Sequence, residues 1–362
     1  MTQPSFLSRL YATIKSRLRL HPAPDRGEDA LPRNHVIVID GTQSRQTEGD
    51  ETNAGLLYKL LLEACDDQAT TVWYHPGIQG HGFWNWVTIA SGWGINQLIF
   101  DGYSRIARHY RPGDKIFLFG YSRGAYAVRS IAGMIGEVGL VHHNSADEEN
   151  LRLAFSLYET GAPGNRIRDF QILHCHNHVP IEMIGVWDTV KALGLSYPLL
   201  TYLAPMATEF HSLNIGHGVK AGYQALALHE DRTAYRPVLW QTEPGWDGTL
   251  EQVWFRGAHG DVGGHVWATP SARPLANIPL QWMAKRAEAH GLKLPPGWQD
   301  RHPGDPRAPM QGARSGIAKF FLLRQPRKQG EFPGEAVHPA ALEAEADTHL
   351  PVAATPASNP IR

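Results

Sequence analysis

Apolar residues recur along this chain with two alternating periods. From Phe6 to Leu20, Phe6, Leu7, Leu10, Ile14 and Leu18 fall at helical spacing among Arg9, Lys15, Arg17 and Arg19, which predicts a basic amphipathic helix. Such a helix either packs on the domain or docks on a lipid surface or a partner. His21 to Arg33, rich in proline and charge, reads as a linker. The run His35 to Asp40 is continuously apolar before it closes in Asp40-Gly41-Thr42, the pattern of a strand buried on both faces and then a tight turn. Helical spacing follows over Asn53 to Cys65, a short strand over Thr71 to Tyr74, a helix over Ile95 to Tyr110, a strand over Lys115 to Phe119 and a helix from Arg123 onward. Pro180 to Trp187 and Leu250 to Phe255 read as further strands, Val219 to Leu228 and Leu275 to His290 as helices. Alternation of this kind predicts an α/β fold, a mostly parallel sheet with helices on both faces. Beyond about Gln325 the chain turns to Pro, Ala, Glu and Gly without an apolar period, which predicts a flexible tail. The expected organisation is therefore a helix and linker over 1–33, one domain over 34–324 and a tail over 325–362.

Composition narrows the classes. A chain of 362 residues with 42% hydrophobic and 19% charged side chains has ordinary globular make-up, which excludes wholesale disorder. With 34 basic against 35 acidic side chains, the formal charge of −1 carries no footprint for nucleic acid. Cys65 and Cys175 are too few for a disulfide framework and suit a reducing compartment, so synthesis in the cytoplasm is expected. Neither a run of about 18 apolar residues nor the core of a secretory signal stands out.

The chemistry concentrates at Gly120-Tyr121-Ser122-Arg123-Gly124, which lies between a strong apolar strand and a helix marked by Ala125, Val128, Ile131, Ala132 and Ile135. Strand, sharp turn and helix in this order form a nucleophile elbow, where small neighbours let the chain turn and push the serine outward. A serine hydroxyl is nearly inert at neutral pH, so it needs a base, and the base needs an acid to orient it. Asp188, just after the strand ending Ile184-Gly185-Val186-Trp187, is the expected acid, and His259, after the strand ending Val253-Trp254-Phe255, the expected base. Asp261 is a rival acid, though two residues from the histidine it is better placed to hold the local backbone. The Arg123 amide is the first expected oxyanion donor, with Gly41 or Thr42 at the end of the first strand as the second; a turn without a catalytic part fits that segment equally well.

Together these motifs resemble an α/β-hydrolase family that includes phospholipase effectors of bacterial type VI secretion. The resemblance rests on Val38-Ile-Asp40-Gly41-Thr42, Pro112-Gly113-Asp114 running into Gly120-Tyr-Ser122-Arg-Gly124, Trp187-Asp188-Thr189-Val190, and Ala258-His259-Gly-Asp261-Val-Gly263-Gly264. It implies an α/β-hydrolase fold with loop and helix insertions forming a cap, Ser122 as nucleophile, Asp188 as acid and His259 as base. It also implies phospholipase A type hydrolysis of lipid carboxylic esters without metal or organic cofactor, export independent of a signal peptide, and a partner in the secretion apparatus. Gly260 and His265 depart from the family pattern, where a serine and a further glycine are expected.

Around this centre, Phe83, Trp84 and Trp86 in the glycine-rich stretch 77–94, together with Tyr121, are candidates to line an acyl-chain site, though ordinary core packing of a long loop fits those loop aromatics at least as well, and the apolar stretch 195–210 is a candidate cap. His174, His176 and His178 alternate as on a strand, which reads as a polar strand edge rather than a metal cage. Glu230 and Arg232 read as a structural ion pair. The rivals to the lipid hydrolase are a soluble carboxylesterase or thioesterase and a non-catalytic interaction protein that keeps the fold.

Overall fold

The computed structural model describes residues 31–42, 44–45, 47–65, 69–78, 93–190, 214–313 and 323–346. The described strands and helices all belong to the compact unit Pro32–Arg362. Strand β1 (Asn34–Ile39) is followed by helix α1 (Asn53–Glu63), β2 (Thr70–His75), α2 (Trp93–His109), β3 (Lys115–Tyr121) and α3 (Arg123–Glu137). Helices α4 (Glu148–Glu159) and α5 (Gly164–His174) lead to β4 (Ile181–Trp187), then come β5 (Asn214–Ile215), β6 (Ala221–Ala227), β7 (Gln241–Thr242) and β8 (Thr249–Phe255). The short α6 (His259–Gly263), α7 (Arg273–Ala289), α8 (Trp298–Arg301), β9 (Glu335–Val337) and α9 (Pro339–Ala346) complete the described elements. A seven-stranded sheet runs in the order β2-β1-β3-β4-β6-β8-β9, with every adjacent pair parallel. β5 and β7 pair separately.

Successive side chains of a strand point to opposite faces, and here both faces are covered. In β1, Ile37 and Ile39 join a core with Ile99, Tyr103, Val128, Ile131 and Leu151 from α2, α3 and α4. Val36 and Val38 join the opposite core, with Leu57 and Leu61 of α1 and Leu280 and Met283 of α7. β3 divides in the same way, Leu118 to the first core and Phe117 and Phe119 to the second. That two-sided burial is why both strands read as unbroken apolar runs. The α/β class with its mostly parallel sheet is as the periodicity predicts.

Three local expectations are corrected. Val219 to Leu228, read as a helix, contains β6, whose seven residues are all buried between β4 and β8. Its small and apolar residues suit a helix by propensity, and tertiary burial overrides that preference. His174 to His178, read as a strand, is the end of α5 and the connection beyond it, so the three imidazoles do not share a strand face. The tail expected from 325 instead supplies β9, which pairs with β8 through Gln252–Glu335, Val253–Ala336 and Trp254–Val337, and then α9. The cap stretch 195–210 and the amphipathic stretch 6–20 lie outside the described residues.

Candidate functional site

Parallel register brings the ends of the central strands to one edge. Tyr121 pairs with Trp187 across β3 and β4, so the next residues, Ser122 and Asp188, emerge side by side. The Ser122 amide donates to Trp187 O at 3.0 Å and the Asp188 amide to Ala225 O at 2.8 Å. Ser122 then turns directly into α3 with φ 58° and ψ −119°, and Asp188 has φ 43°. Among the described residues these two are the non-glycine positions with positive φ. Such backbone costs about 1–3 kcal/mol per residue and persists where surrounding structure imposes it. Gly124 makes the turn tight enough: a Cβ there would stand 2.1 Å from Ile39 O, so only glycine lets α3 start against the end of β1.

The side chains connect in one line. Ser122 Oγ is 2.9 Å from His259 Nε2, and His259 Nδ1 is 2.6 Å from Asp188 Oδ2. All three are buried, Asp188 completely. Trp187, Asp188 and Thr189 each have a separate task. The Trp187 indole N–H donates to Pro279 O, Asp188 meets His259, and Thr189 Oγ1 donates to Gln224 Oε1 at 2.6 Å. His259 sits between two rings, Tyr121 at 5.0 Å and Tyr235 at 4.8 Å between centroids, and its amide donates to Glu230 Oε2 at 3.2 Å. Glu230 in turn holds Arg232 in a bidentate pair at 2.7 and 2.6 Å, and Arg232 lies over the Tyr235 ring. The ion pair expected to be structural thus braces the histidine.

Asp261 accepts from Ala258, Gln311 and Gly312 amides at 2.8, 2.7 and 3.1 Å, so it fixes the histidine loop and a crossing segment. Two expectations are corrected at this site. The Gly41 amide already donates to Asp40 Oδ1 at 2.6 Å, which leaves Thr42 and Arg123 as the candidate oxyanion donors. Asp40 is wholly buried and also accepts from Ser44, Thr52 and Tyr74; burial raises its pKa despite those donors. Tyr121, read as lining a substrate site, is buried with its hydroxyl donating to His259 O at 3.2 Å, because it precedes the elbow on β3 and faces the histidine loop. Phe83, Trp84 and Trp86 lie outside the described residues.

One residue at the centre is absent from the motifs. Arg327 donates from Nη1 to Asp188 Oδ1 at 2.6 Å and from Nη2 to Asp188 Oδ2 at 2.9 Å. Burial alone would raise the Asp188 pKa; the Arg327 charge and the His259 hydrogen bond overcome it and hold the carboxyl below the usual carboxylate range. Nothing in the local pattern marks Arg327, whose partner is 139 residues away.

The family described as the type VI secretion phospholipase effector Tle1-like catalytic domain matches residues 33–286. The chain belongs to this family. A curated relative, an uncharacterized protein of Saccharomyces cerevisiae, is 28% identical over an alignment of 189 residues that covers 45% of this chain and 27% of the relative. A solved Tle1 effector bound to the VgrG spike of the type 6 secretion system is 18% identical with a TM-score of 0.40, over 67% of this chain and 52% of that one. An uncharacterized protein from Pseudomonas aeruginosa is 15% identical with a TM-score of 0.42, over 86% of this chain and 52% of that one. The chain thus spans about half the length of these structures and about a quarter of the yeast relative. Among the described residues no helix is long and apolar enough to cross a membrane.

Proposed function

We propose that this Tle1-like domain is a serine hydrolase that cleaves carboxylic ester bonds of phospholipids through an acyl-enzyme on Ser122. The observation that supports this most directly is the unbroken hydrogen-bonded line from Ser122 Oγ through His259 to Asp188 at 2.9 and 2.6 Å. His259 Nε2 takes the Ser122 proton as Oγ attacks the ester carbonyl carbon, and Asp188 at Nδ1 fixes the tautomer and stabilises the imidazolium. The oxyanion that develops faces the Arg123 amide at the start of α3, where the helix N-terminus favours negative charge, with Thr42 as second donor. Collapse breaks the ester C–O bond; His259 gives the proton to the departing alkoxide oxygen, which becomes the lysophospholipid hydroxyl, and water, activated by the same imidazole, releases the fatty acid. Family membership favours phospholipid over a soluble ester, and it favours export by a type VI secretion apparatus. Residues 6–20 would add lipid-surface contact.

The test is hydrolysis of phospholipid liposomes with mass analysis of products. Wild-type protein should release free fatty acid and lysophospholipid, and Ser122→Ala should lose at least about 10⁴-fold in turnover. Undiminished turnover in the folded variant rules the nucleophile out. Release of a phosphorylated head group in place of fatty acid rules out acyl-ester cleavage.

A further inference from the structure

We propose that Arg327 is a positioning residue for this centre, clamping the Asp188 carboxylate in the orientation His259 requires and keeping it charged; the proposal rests on the serine-hydrolase reading above. Each Arg327 terminal nitrogen meets a different Asp188 oxygen, at 2.6 and 2.9 Å, so the planar fork sets the carboxylate plane as well as its charge. The fork is itself held, since Nη1 also donates to Ala227 O at 2.9 Å and Nη2 to Tyr235 O at 2.6 Å. Both partners are shut off from water, Arg327 at 4% side-chain exposure and Asp188 at 0%. A carboxylate so buried without a cation would favour its protonated form, and a protonated Asp188 no longer serves as a pure acceptor for His259.

The residue arrives from outside the family match, which ends at 286. The segment that carries it is anchored before and after the guanidinium. On one side the Gln325 amide donates to Asp231 O at 2.7 Å and Arg324 pairs with Asp231. On the other, β9 joins the sheet edge. The clamp therefore comes from the segment C-terminal to the matched region, and Ser122, Asp188 and His259 lie within that region.

Charge around His259 sets the sign of the effect. On the Nδ1 side stand Asp188 and, behind it, Arg327. Tyr121 of β3 and Tyr235 flank the ring, and Glu230, neutralised by Arg232, meets the backbone amide. On its own short helix Asp261 is occupied by backbone amides, and the next loop adds His265, which burial first and then the nearby His259 keep neutral with a pKa lowered to about 4. Arg123 faces Tyr121 and Tyr235 from the elbow. Removing the Arg327 charge favours the protonated form of Asp188, which then no longer accepts from His259 as a carboxylate, so the acid limb of the pH–rate profile moves to higher pH.

The experiment uses the full chain as wild type, Arg327→Met, Arg327→Lys and, as control, Lys328→Met, an exposed neighbour with 71% side-chain exposure. Labelling of Ser122 by a fluorophosphonate and hydrolysis of a short-chain ester are followed across pH. Arg327→Met should react about 10- to 100-fold more slowly at neutral pH, with its acid limb shifted upward. Arg327→Lys, which keeps the charge and loses the fork, should hold the limb near its wild-type position at a reduced rate, and Lys328→Met should match wild type. A folded Arg327→Met with wild-type rate and limb, or with a faster rate, overturns the proposal. If Arg327→Met does not fold, a wild-type rate in Arg327→Lys overturns it. Absence of labelling in folded wild type sinks the serine-hydrolase reading and the clamp with it, whereas a labelled wild type with an indifferent Arg327→Met sinks the clamp alone.

Discussion

At Gly263 a methyl group would come within 1.9 Å of the Tyr121 ring, and Tyr121 is the side chain that both supports the His259 carbonyl and stacks beside the imidazole. The ring is buried on every side and has nowhere to go. Gly263→Ala should therefore cost about 1–3 kcal/mol of stability and lower activity more than that loss alone explains, because the displaced ring shifts His259. Urea denaturation together with ester turnover checks this; an Ala variant with unchanged stability and rate would mean that the loop relaxes without moving the histidine. Residues of this kind are legible in sequence because their constraint is local. The elbow around Ser122 needs small neighbours within two positions, and Asp188 and His259 each follow a recognisable apolar strand. Arg327 carries no such mark. Its environment is made by Asp188, Ala227 and Tyr235, brought to it by tertiary structure, while its neighbours Pro326 and Lys328 read as solvent-facing chain.

At the scale of elements, β9 has three residues and would not persist alone, so its place at the sheet edge depends on side-chain anchors. Glu335 provides them, accepting from the buried Trp254 indole N–H at 2.7 Å and from the Gly330 and Phe332 amides at 2.9 and 2.7 Å. Glu335→Ala strands the indole donor and should lower stability by about 1–3 kcal/mol in urea denaturation. A loss near zero would show that water replaces the carboxylate. The same anchoring explains why the segment reads as a tail in the sequence. A short edge strand fixed by one carboxylate has too few apolar positions to display a period, and β6 shows the opposite failure. There the small, apolar residues from Ala221 to Ala227 fit a helix and a fully buried central strand equally well, and only the position between β4 and β8 decides between them.

For the molecule as a whole, acid stability depends on histidines buried as neutral rings. Burial pushes His75 down to about 4, and His265 likewise to about 4 through burial first and then the His259 and Arg45 charges. Both values lie below that of an unfolded histidine, about 6.5. Between these limits the unfolded chain binds protons that the folded chain refuses, so their contribution is complete above about pH 6.5 and is lost as pH falls toward 4. Each contributes on the order of 1–3 kcal/mol, partly opposed by Asp40, whose raised pKa favours the folded state as the solution becomes acid. The melting temperature should fall between neutral pH and pH 5, and His75→Gln should flatten that slope; a melting temperature that holds or rises on acidification contradicts this account. The parallel sheet was readable at this scale because β1 and β3 each divide their apolar residues between two cores.

The order of the sheet also has a temporal meaning. Beginning at β3, the strands β3, β4, β6, β8 and β9 lie side by side in the order in which a ribosome makes them. Each can add to an edge already formed, as domains assembled from the N-terminus tend to do. Ser122, Asp188 and His259 are all synthesised before Arg327, so the Asp188 clamp is the last of these contacts to close. A nascent chain can thus hold a nearly complete sheet with Ser122, Asp188 and His259 already made while the Asp188 carboxylate still lacks its Arg327 partner.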